Sequence, residues 1–321
     1  MNQSKFSLAD VLTLLTALAF GFVCFLGTNF FTLGNTNQSV ILSVVIAVLL
    51  SGTALGAKLF KLTSRNFKTC YILELFFLVL FTISTLFFAY SPFSHYFVVS
   101  EQKIEIQEKL NMSIAQAENM FEGYENYAEN RENLYKSKLR SVAAAKNAAP
   151  SEYAEYGFEN NGIDDSKQIE NKMFAVHADL FPTNYSDPSN NDGIKEIAMD
   201  WLSDAKDKIT GWKPIGIVGV VNEVEQSSTD WLNTLIDLSA VREKGERTED
   251  FSYDLLFGDV KKYFNTLGEP TILSIGLAVL SYFLMLLSYM AAKRHTRFPG
   301  VKILFGKKDR LTGIKKDEVI I

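Results

Sequence analysis

The sequence predicts an all-α integral membrane protein with four transmembrane helices and a mainly helical extracytoplasmic domain inserted between the third and the fourth. Three observations carry that expectation. Four long apolar runs, roughly residues 11–31, 40–57, 70–90 and 272–292, punctuate the chain. The charges sort around them: residues 97–270 hold 32 acidic and 18 basic side chains, a net of −14, whereas the remainder holds 5 acidic and 14 basic, a net of +9. Short cytoplasmic segments of membrane proteins collect Lys and Arg, so this sorting is an orientation signal. Within the acidic segment, residues 101–149 contain no Gly or Pro except Gly123 and Pro150 follows them, which is the pattern of a long helix.

The first run is long enough to cross a bilayer core of about 30 Å, which takes about 20 apolar residues at a 1.5 Å rise. A signal peptide has a shorter apolar core and a small-residue cleavage site, so this run reads as a retained signal-anchor. Lys5 before it predicts a cytoplasmic start. The turn to the second run, residues 32–39, carries no charge and belongs on the other side. In the second run Gly52 and Gly56 form a GxxxG pair beside Ser51, Thr53 and Ala57. Small residues at this spacing let helix backbones approach closely, either within the chain or between copies.

The link to the third run holds Lys58, Lys61, Arg65 and Lys68 and no acid, and is expected in the cytoplasm. Glu74 lies about one turn into the third run. Ionisable groups in lipid are costly to keep, so Glu74 is the candidate intramembrane functional carboxylate; its alternative is snorkelling or pairing with Lys58, Lys61 or Lys68. Phe87, Phe88, Tyr90, Phe93, Tyr96 and Phe97 are expected to form a headgroup belt, with Pro92 kinking or interrupting the helix. Residues 1–96 thus form the first part of the membrane domain.

Residues 97–270 form the expected extracytoplasmic domain. Leu110, Ala117, Met120, Tyr124, Tyr127 and Leu134 recur at steps of three, four and seven residues, with Lys, Glu and Asn filling the other face. This coiled-coil-like stripe is the candidate partner-facing surface, although Ser113 and Arg131 at core positions favour packing within the same domain. A loop at 151–165 is followed by helices near 166–180, 194–209 and 218–241 and a last one near 253–267. The stretch 215–221, IGIVGVV, is β-branched enough to be a strand instead. Pro270 is expected in the first turn of the fourth span, 271–292. A basic tail, 293–321, follows with nine Lys and Arg, suited to anionic lipid headgroups; its VKILF segment, 301–305, is an apolar handle.

Signals for chemistry are sparse. The only cysteines, Cys24 and Cys70, lie in apolar runs, so no disulfide staples the outer domain. The histidines are His95, His177 and His295; His177 and Asp179 offer two ligands without a third at a recognised metal spacing. Asp187 opens a segment like a calcium loop, but Gly193 comes one position late and Ala198 stands where a bidentate glutamate belongs, so an Asx-rich turn is expected. Asn111-Met-Ser and Asn184-Tyr-Ser are glycosylation sequons. No nucleophile elbow, phosphate loop or dinucleotide fingerprint occurs, so neither catalytic residue nor cofactor is assigned, and the net −14 disfavours nucleic acid.

The span order resembles that of tetraspanins: four spans, a small first outer loop and a large second one. The resemblance covers span order alone, because that family's Cys-Cys-Gly motif is missing, and no function follows from it. The leading expectation is a non-catalytic membrane scaffold or accessory subunit that binds membrane lipid and a protein partner or further copies of itself. One alternative is a sensor with a ligand-responsive outer bundle. Another is a subunit of an ion-conducting oligomer, with Thr13, Thr16, Ser43 and Thr82 between subunits. The disulfide-free outer domain and the Asn-, Lys- and Glu-rich helices point to a bacterial inner membrane.

Overall fold

The structure, a computed structural model, describes residues 7–63, 67–187, 189–246 and 248–294. Lys5, Arg65, His295 and the tail from Arg297 onward, with its 301–305 handle, lie outside the described residues. The described chain is helical, with no strand among the described residues, and it divides into two compact units. One comprises the residues up to Glu101 and those from Phe264 on; the other is Gln102–Tyr263.

The first unit is built from apolar helices. Helix α1, Leu8–Phe31, starts at Ser7, whose amide and hydroxyl both donate to Asp10 in a capping box. It ends where Leu33 and Gly34 take positive φ and the Gly34 amide reaches back to the Asn29 carbonyl. Asn35 then caps α2, Thr36–Leu62, by accepting from the Gln38 amide. Helix α3, Phe67–Ile83, continues through a π-helical segment, Ser84–Ala89, into α4, Tyr90–Glu101. Three of these helical stretches, Leu8–Phe31, Thr36–Leu62 and Lys68–Glu101, are long and apolar enough to cross a membrane. The fourth apolar run forms α11, Ile272–Met285, and, after Leu286, a one-turn helix α12, Leu287–Ala291. Thr271, not Pro270, caps α11, and Pro270 lies outside its first turn.

Pro92 does not interrupt the third helix, which runs on to Glu101. A proline ring crowds the carbonyl four residues earlier and supplies no amide. The helix loosens just upstream, where the Tyr90 amide bonds to Thr85, five residues back. At 34 residues this helix is about 50 Å long, well beyond a bilayer core of about 30 Å. The expected aromatic belt is only partly a belt: Phe87 and Phe88 are exposed, but Phe93 is buried, stacked on Phe20 at 4.1 Å between ring centroids. Tyr96 stacks on Phe30. Cys24 sits in the same core and donates its thiol to the Ala89 carbonyl.

The second unit is organised by α5, Lys103–Ala144, 42 residues long. Its buried face runs from Ile106 through Leu110, Ala117, Tyr124 and Leu139 to Val142. Against it pack α7, Asp165–Leu180, α8, Ile194–Thr210, and α9, Pro214–Leu238, with a short α6, Pro150–Glu155, in the expected loop. The stretch 215–221 is therefore helix, not strand: Pro214 takes the first helical position and the apolar residues continue at helical spacing. The expected helix over 253–267 is also corrected. Only α10, Lys261–Asn265, is helical, and the preceding residues, which form no regular element, lie against α5, where the Leu256 amide donates to Gln116 and Tyr253 packs near Gly123.

Candidate functional site: paired charges at one end of the helix bundle

The beginning of α1, the end of α2, the beginning of α3 and α12 meet at one end of the first unit, and every buried acid of that unit is found there among the described residues. Asp10 uses one carboxylate oxygen to close the capping box on Ser7. Its other oxygen accepts from Lys58 of α2 at 2.5 Å and from the hydroxyl of Ser288 in α12. The Ser288 amide in turn faces the Thr13 hydroxyl. One acid thus joins three helices.

The second acid is Glu74. Its Oε1 accepts from the Tyr289 hydroxyl at 2.7 Å and from the Arg294 guanidinium at 2.5 Å. Arg294 also lies over the Tyr71 ring, and Lys61 donates to the Tyr289 carbonyl at 2.8 Å while sitting over the same tyrosine's ring. Neighbouring residues of α12, Ser288 and Tyr289, therefore join the two clusters. Of the lysines expected to pair with Glu74, Lys58 is committed to Asp10 and Lys61 interacts with Glu74 electrostatically, while the direct ion pair is made by Arg294, which reaches back from beyond α12. Sequence reasoning missed both partnerships. One signal was available, because antiparallel neighbours bring the acid of the first turn of α1 beside the lysine of the last turns of α2.

A charge taken out of water needs a partner close by, since desolvation costs several kcal/mol per ion. Here two acids meet three cations at one level, while the stretches of α1, α2 and α3 further in carry no charge. The arrangement can lock four helix ends together. It also leaves Oε2 of Glu74 buried with no hydrogen-bond partner among the described residues.

At the opposite end of the unit a neutral polar layer replaces the charges. His95 Nε2 lies 2.7 Å from the Phe264 carbonyl, and Ser94 pairs with Ser274. Close approach there depends on glycine: a Cβ on Gly27 would sit 1.9 Å from the Pro92 carbonyl oxygen.

The other sequence candidates separate cleanly. Gly56 faces Phe77 of α3, whose ring would stand 2.7 Å from an added Cβ, whereas Gly52 faces open space, so the pair does not form one packed face within the chain. The candidate partner-facing stripe turns inward. Leu110, Ala117, Met120 and Tyr124 are buried in their own unit, Tyr127 is half-buried, and Leu134 alone is open, 62% exposed. Its physical reason is Arg131, which the stripe carries into the core. Its guanidinium makes a two-pronged ion pair with Glu246, at 2.6 and 3.0 Å, and a further bond to the Ser239 carbonyl. That pair, with bonds from Tyr127 to the Glu249 carbonyl and from Tyr135 to the Lys244 carbonyl, lays residues 239–246 and 249–251 along α5.

His177 contacts Glu132 and Asp179 meets Arg242, so the two do not converge on a metal, and no group of three potential ligands occurs among the described residues. Asp187 accepts from the Ser189 and Asn190 amides, and Glu196 accepts from the Ser186 hydroxyl and the Asp187 amide, which makes an Asx-rich turn of the calcium-like segment. Of the sequons, Asn184 is exposed in a turn, whereas Asn111 lies within α5 with its side-chain oxygen buried. Thr13 and Thr82, expected between subunits, bond within the chain, to the Ser288 amide and the Tyr282 hydroxyl. No protein-family model, curated protein or solved structure matches the chain.

Proposed function

We propose that this chain is a non-catalytic, multi-pass membrane scaffold or accessory subunit with four spans, the fourth made of α11 and α12. The paired-charge end faces the cytoplasm, and the unit Gln102–Tyr263 is presented outside the membrane to a partner protein. The observation that carries the reading is the charge layer. Asp10–Lys58 and Glu74–Arg294 bind the membrane helices to one another at the end where Lys and Arg accumulate, which suits a fixed platform. The strong negative balance of residues 97–270 supports their placement on the opposite side.

The test is extraction of the tagged full chain in mild detergent, followed by size-exclusion with light scattering and mass spectrometry of copurifying chains. A second protein in fixed ratio is expected. A clean monomer without companion overturns the reading.

A second reading, a subunit of an ion-conducting oligomer, is favoured by one observation, the unpartnered buried oxygen of Glu74. Currents in planar bilayers that change in Glu74→Gln distinguish it, and their absence from a pure homo-oligomer removes it.

A further inference from the structure

We infer that the seam between α3 and α11–α12 in the first unit holds one anionic phospholipid of the cytoplasmic leaflet. Its phosphate sits at Lys61 and Arg294, and one acyl chain lies in the groove beside the π-helical segment. The inference rests on the membrane reading above.

The charge layer is not neutral. Asp10 and Lys58 cancel, but Glu74 stands against two cations, Lys61 and Arg294, which leaves one positive charge over. Arg294 makes the direct ion pair with Glu74 through one nitrogen, and its other N–H groups have no hydrogen bond among the described residues. Lys61 makes no direct ion pair among the described residues. Its ammonium gives one bond to the Tyr289 carbonyl and lies 4.2 Å from the centre of that ring, which leaves further donors unused. Both cations are half-buried. A phosphate accepts from several such donors at once and supplies the missing negative charge. Basic pockets between transmembrane helices on the cytoplasmic side are where phosphate headgroups bind.

The same seam leads from these charges into an apolar groove. Its contacts step in opposite directions along the two strands of chain: Tyr71 with Arg294, Glu74 with Tyr289, Thr82 with Tyr282, and Ser94 with Ser274. From Thr82 and Tyr282 onward the seam opens, beside the π-helical Ser84–Ala89, into a groove of about 390 Å³. Leu86, Ile275, Val279 and Phe283, all exposed, form its walls. The threonine hydroxyls that line it are committed within the chain: Thr82 pairs with Tyr282 at 2.9 Å, and Thr85 donates to the Phe81 carbonyl at 2.8 Å. Such a groove suits hydrocarbon. Thr82 lies about 12 Å along the helix from Glu74, and half of a bilayer core is about 15 Å, so a lipid with its phosphate at the charge layer reaches it. A helix of a partner protein would fill the groove but bring no phosphate to the cations.

The full chain, purified in a neutral detergent, is titrated with phosphatidylglycerol, phosphatidylcholine or inorganic phosphate while the melting temperature is followed. Phosphatidylglycerol alone is expected to raise it. Lys61→Gln weakens a hydrogen bond to a charged group and should raise the half-maximal lipid concentration about tenfold. Val279→Trp, which fills the groove, should raise it as well. Lys293→Gln, at an exposed cation beside Arg294, should leave it nearly unchanged. No response to phosphatidylglycerol, or an equal one to phosphatidylcholine, overturns the inference. An equal response to inorganic phosphate means an adventitious ion only and also overturns it. So does an unchanged titration in Lys61→Gln or Val279→Trp, or an equal loss in Lys293→Gln, which would mean diffuse attraction to basic residues. Should Lys61→Gln misfold, Val279→Trp decides alone. Carbonate extraction of the native membranes separates the two failures. Release of the protein removes the membrane reading itself, whereas retention without a preference for phosphatidylglycerol removes only this one.

Discussion

Asp10 and Lys58 form an ion pair across 48 residues of sequence, with side chains 4% and 11% exposed, and the same Asp10 oxygen accepts from Ser288. Removing one partner leaves the other charge buried and alone, which costs about 3–5 kcal/mol, whereas replacing both with apolar or neutral groups of similar volume is far milder. Lys58→Met and Asp10→Asn are each expected to lower thermal stability in detergent, and the double variant is expected to recover most of the loss. A double-mutant cycle on the melting transitions measures the coupling. Additive losses contradict the pairing.

Glycine at 27 is required by the Pro92 carbonyl, and glycine at 52 is not required by anything in the same chain. Gly27→Ala is expected to destabilise the protein through a forced backbone shift, and Gly52→Ala to leave stability unchanged. Light scattering of Gly52→Leu then tests the open face by itself: a lost oligomer assigns that face to self-association, and an unchanged mass shows that it plays no part in it.

In the second unit the inward turn of α5 sets a contrast between two leucines of one stripe. Leu110→Asp buries an unpaired carboxylate in the core and is expected to prevent stable folding, whereas Leu134→Asp faces solvent and should shift stability by no more than about 0.5 kcal/mol. Protease resistance of the membrane-embedded full chain reads both. Equal sensitivity of the two variants contradicts the packing.

The turn at Ser186–Glu196 predicts a pH dependence. The Ser186 hydroxyl bond and the Asp187 amide hold the Glu196 carboxyl below its ordinary value of 4.5, against partial desolvation. A folded pKa below the unfolded one contributes stability that is present above about 4.5 and is lost as pH falls through the folded value. Glu196→Gln should flatten that acid limb in melting temperature against pH and leave the neutral region nearly parallel to wild type. An unchanged acid limb contradicts the assignment.

What was legible in the sequence was mostly local. The apolar runs gave helices because stretches of that length with at most one charge have few other solutions, and α8 began at Ile194 as its spacing implied. The boundaries moved outward: α2 continues to Leu62, past Lys58 and Lys61, because backbone hydrogen bonding does not stop where hydropathy does. The β-branched stretch at 215–221 was ambiguous because a short apolar run has no decisive period, and Pro214 settled it as the first residue of a long helix. The irregular segment before α10 was not legible, since its partners, Gln116 and Tyr127, lie more than a hundred residues away. For the same reason Arg131 read as a flaw in a stripe, until Glu246 completed it.

The most direct test of the account is sidedness. In a Cys70→Ser background, whose one remaining native cysteine, Cys24, is buried, Leu134→Cys and Thr63→Cys place single exposed thiols in the second unit and at the end of α2. Intact cells are treated with a membrane-impermeant maleimide before and after permeabilisation. The account predicts labelling at position 134 in intact cells and at position 63 only after permeabilisation. The reverse pattern, or labelling of both sites in intact cells, contradicts it.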